Sequence, residues 1–281
     1  MTPSAPVFII GGLIVLLMPL LMHYWFTQAA TYTVLPSILL VGPSGAGKTT
    51  LHTLLERRAS PSETHTSQTW SSTELAIDES RTSSYRDDLD ATGATAVRFL
   101  MVDTPGHGKL RHYAFGRLTP EGTLSTKLKA VVFVVDAAAL SEPNILADTA
   151  AYLYDVLLRL QKRMGSTKTS KAPYTIPVLV AANKTDLFTA LPAKLVKTNL
   201  EKELGRIRKT RSKGLLDSGV GADDLGGGAD EADDWLGEYG SDEFKFEQMR
   251  EFDIDVDVEG GAVLGDKPNV DRWWAWIGNK L

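Results

Sequence analysis

"VLPSILLVGPSGAGKTT", residues 34–50, decides the fold, because an apolar run ends there in a glycine-rich turn that reopens as a helix. Val34–Val41 reads as a buried strand, and "KTTLHTLLERR", from Lys48, carries its apolar residues at helical spacing. Gly42, Gly47, Lys48 and Thr49 fit the pattern G-x-x-x-x-G-K-[ST] in the context it requires, after a strand and opening a helix. Glycines let backbone N–H groups face phosphate oxygens, and the helix start adds the positive end of its dipole. The turn is therefore a candidate phosphate cradle made of Gly42, Ser44, Gly45, Ala46, Gly47, Lys48, Thr49 and Thr50. In it Lys48 would span the β- and γ-phosphates of a nucleotide, and the Thr49 hydroxyl would coordinate Mg²⁺.

A cradle does not choose a base. "NKTD", Asn183–Asp186, follows the apolar strand "IPVLVAA" and so lies at a strand's C-terminal end, where open parallel sheets bind ligands. The Asp186 carboxylate can accept two hydrogen bonds from guanine's ring N–H and exocyclic amine. Adenine would leave that carboxylate unpaired, at about 1–3 kcal/mol or more. Asn183 would tie this loop to the phosphate loop, and the stem of Lys184 would cover the ring. Between the two motifs lies "DTPG", Asp103–Gly106, again at a strand end. Asp103 would hold Mg²⁺ through a water, and the Gly106 N–H would sense the γ-phosphate. A loop held only by that phosphate relaxes when it is lost. The opposing stretch "THTSQT" offers Thr66 or Ser67 as a further hydroxyl for Mg²⁺. His107 follows the glycine of "DTPG", where it would either orient an attacking water or pack outward as a surface histidine. His52, His65 and His112 have no partners at metal-ligand spacing and read as structural or exposed.

Strand and helix signals alternate along the rest of the chain. "TELAI", "TAVRFLMVD", "AVVFVVD" and "TIPVLVAAN" read as strands, with "NILADTAAYLYDVLLRLQKRM" and "LPAKLVKTNLEKELGRIRK" as helices. "FDIDVDVEGG" alternates strictly, as an edge strand does, and "NVDRWWAWIGNKL" closes the chain as a helix whose Trp273, Trp274 and Trp276 supply core packing, with at least one ring reaching a lipid or partner surface. The expected class is α/β, a mostly parallel sheet with helices on both faces. Residues 212–241, rich in Gly and Asp, bury too little apolar surface to order themselves and read as a mobile acidic insert.

At the other end, Val7–Phe26, "VFIIGGLIVLLMPLLMHYWF", has no Asp, Glu, Lys or Arg over 20 residues. That length matches a bilayer's hydrocarbon core, and Tyr24 and Trp25 suit its interface. A cleaved signal peptide fits less well, because a basic leader is missing and the run exceeds the usual apolar length. Residues 1–33 thus read as an anchor region with a transmembrane helix, and 34–281 as the folded domain. The net charge of −5, with no continuous basic stripe, argues against a nucleic-acid binder. The absence of cysteine excludes disulfides, thiolate metal sites and thiol nucleophiles.

The three motifs in this order resemble those of the Ras-like small GTPase superfamily over residues 34–281. "LLVGPSGAGKTTL", "DTPGHGKLR", "VVFVVDAAA", "NKTD" and "LEKELGRIRKTRS", behind an N-terminal anchor, narrow the resemblance to the beta subunits of signal recognition particle receptors. The resemblance implies a P-loop GTPase domain that binds GTP or GDP with Mg²⁺ on the cytosolic face of the endoplasmic reticulum membrane. It implies the receptor's alpha subunit as partner, delivery of ribosomes to the translocon, and hydrolysis that is slow or partner-stimulated. Alternatives are an Arf-like switch in vesicle traffic and an anchor locked on GTP. A translational-type GTPase shares the D-x-P-G-H pattern but needs RNA-facing domains for which no sequence remains. One departure stands out. Where relatives carry an S-A-K type loop, this chain has "EGGAV", so backbone groups of Gly260 and Gly261 are the candidates for the guanine oxygen.

Overall fold

The protein is described by a computed structural model that covers residues 13–19, 21–22, 35–57, 63–77, 96–119, 127–166, 175–217, 235–237, 241, 243–265 and 268–281. The chain forms two units, Met1–Val34 and Leu35–Leu281. In the first, residues 13–19 and 21–22 are helical. Among the described residues no helix is long and apolar enough to cross a membrane, and most of the expected span at 7–26 lies outside them.

The second unit is organised by β4 (Leu128–Asp136) and β5 (Ile176–Asn183), apolar runs in which nearly every residue is buried, as strands covered on both faces must be. Around them pair β1 (Ser37–Val41), β2 (Ser71–Ile77), β3 (Val97–Asp103) and β6 (Ile254–Gly260), in the order β2-β3-β1-β4-β5-β6. Only the β2–β3 pairing is antiparallel; the others are parallel. The connections run through α1 (Lys48–Arg57), α2 (His112–Leu118), α3 (Pro143–Ser166) and α4 (Ala193–Asp217), and α5 (Asp271–Lys280) ends the chain. The expected mostly parallel α/β sheet is what forms. β6, with its alternating pattern, takes an edge as expected.

Strand alternation divides the core into two layers. Leu39, Val41, Phe133 and Val135 face α3 and α4 through Leu153, Leu157, Leu200 and Leu204. Ile38, Leu40, Val132 and Val134 face the opposite way, toward Leu51 and Leu54 of α1 and Trp273, Trp274 and Ile277 of α5. Burial of each such side chain contributes about 1.5–3 kcal/mol. Trp273 and Trp274 are core residues, as expected. The third ring does not seek a partner surface, because Trp276 is half-buried and donates to Asp257 Oδ2 at 2.7 Å.

The acidic insert is narrower than residues 212–241. α4 continues to Asp217, and Trp235–Gly237 and Ser241 return onto the domain with Leu236 buried. Gln161 donates to the Trp235 carbonyl at 2.9 Å and accepts from the Gly237 N–H at 3.0 Å, while Arg208 donates to the carbonyls of Leu236 and Ser241. Two buried polar side chains thus pin a stretch whose composition alone looked unable to order. Residues 218–234 lie outside the described residues.

Candidate functional site

Because the parallel strands share a direction, their C-terminal ends collect the motifs along one edge of the sheet. Leu40 pairs with Asp103, Val41 with Phe133, Asp136 with Asn183 and Ala182 with Gly260. The turns after β1, β3 and β5 therefore surround one cleft of about 260 Å³, lined by Ser44, Gly45, Gly47, Lys48, Thr49, Thr50, Gly106, Asn183 and Lys184 among others.

Lys48 is 5 % exposed and donates to the carbonyls of Gly42 at 2.9 Å and Pro43 at 2.8 Å. Two of its three donors thus brace the loop, and the third is left for an anion. Burial lowers its pKa to about 8, against the Asp103 carboxylate, which raises it; Arg111 adds to the lowering. Gly106 packs against this bracket so closely that a Cβ there would come within 2.6 Å of both the Gly42 carbonyl and Lys48 Nζ. Only a glycine lets the turn after β3 sit beside the lysine.

Three oxygens meet next to it. The Thr49 hydroxyl lies 2.6 Å from the Ser67 hydroxyl and donates to Asp103 Oδ2 at 2.7 Å, and Ser67 donates to the same oxygen at 3.2 Å. Asp103 is fully buried, and its Oδ1 has no hydrogen-bond partner. A buried carboxylate oxygen left unpaired costs free energy that a cation would recover. Hydroxyls and a carboxylate are the hard oxygen donors that Mg²⁺ takes, so this set fits that ion. Among the described residues no group of three or more His, Asp or Glu side chains is assembled for another metal. Of the two expected hydroxyls, Ser67 joins the cluster; Thr66 lines the cleft but stays exposed.

At the other end of the cleft Asn183 ties three segments together. Its amide donates to the Ala46 carbonyl at 2.8 Å, and its oxygen accepts from the Lys184 N–H at 2.8 Å and the Val263 N–H at 3.1 Å. Lys184 has φ 64°, a left-handed conformation that side chains seldom adopt. It is held there by an ion pair with Asp136, whose other oxygen accepts from the N–H groups of Ala138 and Ala139. Asp136 was not legible as a site residue, although a lone carboxylate ending the run "AVVFVVD" was the available signal. Asp186 stands exposed at the rim, with an oxygen 4.0 Å from where a Cβ on Gly265 would lie.

Two expectations are corrected. Gly260 and Gly261 do not face the cleft: the Gly261 N–H donates to the Ala182 carbonyl at 2.9 Å, its carbonyl accepts from Thr185, and its Cα presses on Trp273. The sheet extends past β6 by that bond, so the loop that reaches the cleft lies further on, at Val263 and Leu264. His107 is not among the cleft residues either. It is exposed, and its Nδ1 accepts from the Lys109 N–H at 3.4 Å, capping the short 3₁₀ turn Gly108–Leu110. His65, read as structural or exposed, is exposed and lines the cleft with Thr64 and Thr104. His52 is buried in α1, and His112 stacks on Tyr113.

The sequence model of the family described as signal recognition particle receptor beta subunit matches residues 33–252. The signal recognition particle receptor subunit beta of Saccharomyces cerevisiae is 30 % identical over 248 residues, spanning 88 % of this chain and 84 % of the yeast protein. The Homo sapiens subunit is 31 % identical over 249 residues, spanning 86 % and 76 %. Among solved structures, the Chaetomium thermophilum receptor complex of SRb-GTP with SRX is similar at a TM-score of 0.73 and 47 % identity, covering 88 % of this chain and 100 % of that one. The SRb-GDP-Mg form from the same organism gives 0.65 and 49 %, covering 90 % and 100 %. With a matching family model over most of its length and relatives on this scale, the chain belongs to the signal recognition particle receptor beta subunit family.

Proposed function

We propose that the protein is the membrane-anchored, GTP-binding subunit of a signal recognition particle receptor, which holds the receptor's alpha subunit at the endoplasmic reticulum membrane for co-translational targeting. The observation that carries this reading is the meeting of Thr49, Ser67 and Asp103 beside Lys48, with the Asp103 Oδ1 orphaned. Structures of relatives named as GTP, GDP and GDP-Mg forms support the choice of ligand. In this reading Lys48 and the N–H groups of Ser44–Thr50 take the phosphates, and Thr49, Ser67 and Asp103 hold Mg²⁺, which neutralises phosphate charge. Lys184 covers the base and Asp186 accepts its two donors. Val263 and Leu264 take the place expected of the "EGGAV" glycines. Hydrolysis is slow or partner-stimulated, consistent with a His107 ring that caps its own turn.

The domains follow the same reading: 1–33 carries a transmembrane helix at about 7–26, and 34–281 is the cytosolic GTPase domain. The test uses the full chain in detergent. Calorimetry with Mg²⁺ should give tight GTP and GDP binding and no ATP binding, and GTP-loaded protein should capture the alpha subunit from solubilised membranes far better than GDP-loaded protein. Equal affinity for ATP overturns the base assignment. Capture of a Golgi coat or tether in place of the alpha subunit overturns the receptor assignment.

A further inference from the structure

Behind the phosphate end of the cleft lies a cation without a counter-charge. Arg111 follows the 3₁₀ turn after "DTPG", and its guanidinium stacks over the ring of Tyr152 of α3, Cζ at 4.1 Å from the centroid. Its Nε is buried and has no hydrogen-bond partner, and no carboxylate pairs with it. Tyr152 is fully buried, fixed edge-on by Phe133 of β4 at 5.5 Å and Phe115 of α2 at 5.9 Å between ring centres. Phe133 is the register partner of Val41, the residue before the phosphate loop, which sets Tyr152 beneath that loop's first turn. The Tyr152 hydroxyl faces the Gly42 backbone without closing a hydrogen bond of normal geometry. Burial pushes the Tyr152 pKa up to about 12, so the platform under Arg111 is a neutral ring and supplies no charge.

The nearest carboxylates are engaged elsewhere. Asp155 of α3 accepts from Arg211, and Asp103 accepts from Thr49 and Ser67. Lys48 feels Arg111 as a like charge that opposes its own protonated state. Two cations thus stand at the phosphate end, with one carboxylate, Asp103, to offset them. A diphosphate satisfies the lysine; a third phosphate adds negative charge on the side of Gly106, where the segment bearing Arg111 begins.

We propose that Arg111, mounted on Tyr152, is a positioning residue that favours nucleoside triphosphate over diphosphate by supplying a second cation behind Lys48. It acts through the field at the terminal phosphate and by holding the "DTPGHGKLR" segment against the phosphate loop. The inference rests on the nucleotide reading given above. A terminal phosphate relieves the repulsion between the two cations, so triphosphate locks this segment in place, and its loss leaves the Lys48–Arg111 repulsion free to open it.

The test compares affinities of the full chain in detergent for GDP and for a non-hydrolysable imido analogue of GTP, with Mg²⁺, by calorimetry. Arg111→Met should weaken the triphosphate about tenfold while GDP stays within about twofold. Arg111→Lys, which keeps charge but loses the flat stack, should retain part of the preference, and Tyr152→Phe, which keeps the platform, should retain nearly all of it. Equal weakening of both nucleotides in Arg111→Met, with Arg111→Lys no better, would make Arg111 a structural residue and overturn the proposal. An unchanged ratio with loss of alpha-subunit capture would make it a partner contact and overturn it as well. Absence of any nucleotide binding by the unsubstituted chain would instead sink the reading on which the proposal rests.

Discussion

The Asn183 amide nitrogen lies 2.8 Å from the carbonyl of Ala46, across 137 residues of sequence. One side chain thereby joins the base-selecting turn to the phosphate loop, and through its oxygen it also holds Val263. Asn183 is 3 % exposed, so its removal strands buried backbone groups. Asn183→Ala should lose about 2–4 kcal/mol of stability. Nucleotide affinity should fall by more than about a hundredfold, because both halves of the site lose their common anchor. Chemical denaturation and calorimetry on the same preparation would read both quantities. A stable variant with normal affinity would mean that the loops are held by something else.

Asp186 has no such structural duty, being exposed at the rim. Asp186→Asn should leave thermal stability within about 0.5 kcal/mol. It should also move preference from guanine toward xanthine, since an amide can donate to xanthine's second carbonyl where a carboxylate cannot. Competition between GTP and XTP for the variant measures the change, and retained guanine preference would remove Asp186 from the base site.

The hydroxyl assignment separates neighbours. Ser67→Ala should reduce the Mg²⁺ dependence of nucleotide retention about tenfold, whereas Thr66→Ala should change it less than about twofold. Nucleotide dissociation rates followed against Mg²⁺ concentration test this, and a larger effect at Thr66 would reverse the assignment.

Two glycines of one loop should behave differently. A Cβ on Gly42 would lie 2.2 Å from the Val134 carbonyl, at φ 141°, whereas Gly45, at φ 77°, has no atom within 4 Å of its added Cβ. Gly42→Ala should cost about 3 kcal/mol or more, since backbone of β4 must shift, and Gly45→Ala about 1 kcal/mol for its left-handed backbone alone. Urea unfolding of the two variants side by side would show whether the order holds.

Away from the site, Lys197 of α4 donates to Glu247 at 2.6 Å. That bond holds the Glu247 pKa below its ordinary value and raises that of Lys197. The Glu247 contribution to stability is therefore present above the ordinary carboxylate pKa and lost as pH falls through the depressed one. The Lys197 contribution is present below the ordinary lysine pKa and lost as pH climbs past the raised one. Both groups are well exposed, so screening keeps the pair below about 1 kcal/mol. A small Tm difference between wild type and Lys197→Met at pH 7 should close by pH 3; a gap that persists there would point to packing by the lysine stem.

Much of the fold was legible because its signals are local. The alternating runs, the glycine turn and the closing helix each follow from residues within a few positions of one another, and each formed as expected. The site was legible where a motif dictates contact, as at Lys48, Thr49, Asp103 and Asn183. It was not legible where the contact depends on register. The run "EGGAV" contains two glycines, but β6 pairs with β5 through Gly260 and the Gly261 N–H bonds the Ala182 carbonyl, which moves the loop that reaches the cleft on to Val263. Composition likewise hid the docking of Leu236, because the two polar side chains that receive that stretch, Gln161 and Arg208, lie on different helices.

The amino-acid sequence by itself determined that strands and helices alternate, that the first turn binds phosphate, and that a carboxylate waits at the end of a later strand. Each rests on backbone propensity and residue chemistry at short range. Only the tertiary structure decided that Ser67 and not Thr66 joins Thr49 and Asp103, that Asp136 steadies Lys184, that His107 turns outward and that Arg111 has no counter-ion. Those outcomes depend on where separated segments come to rest, and packing, burial and hydrogen bonding between them settle that position.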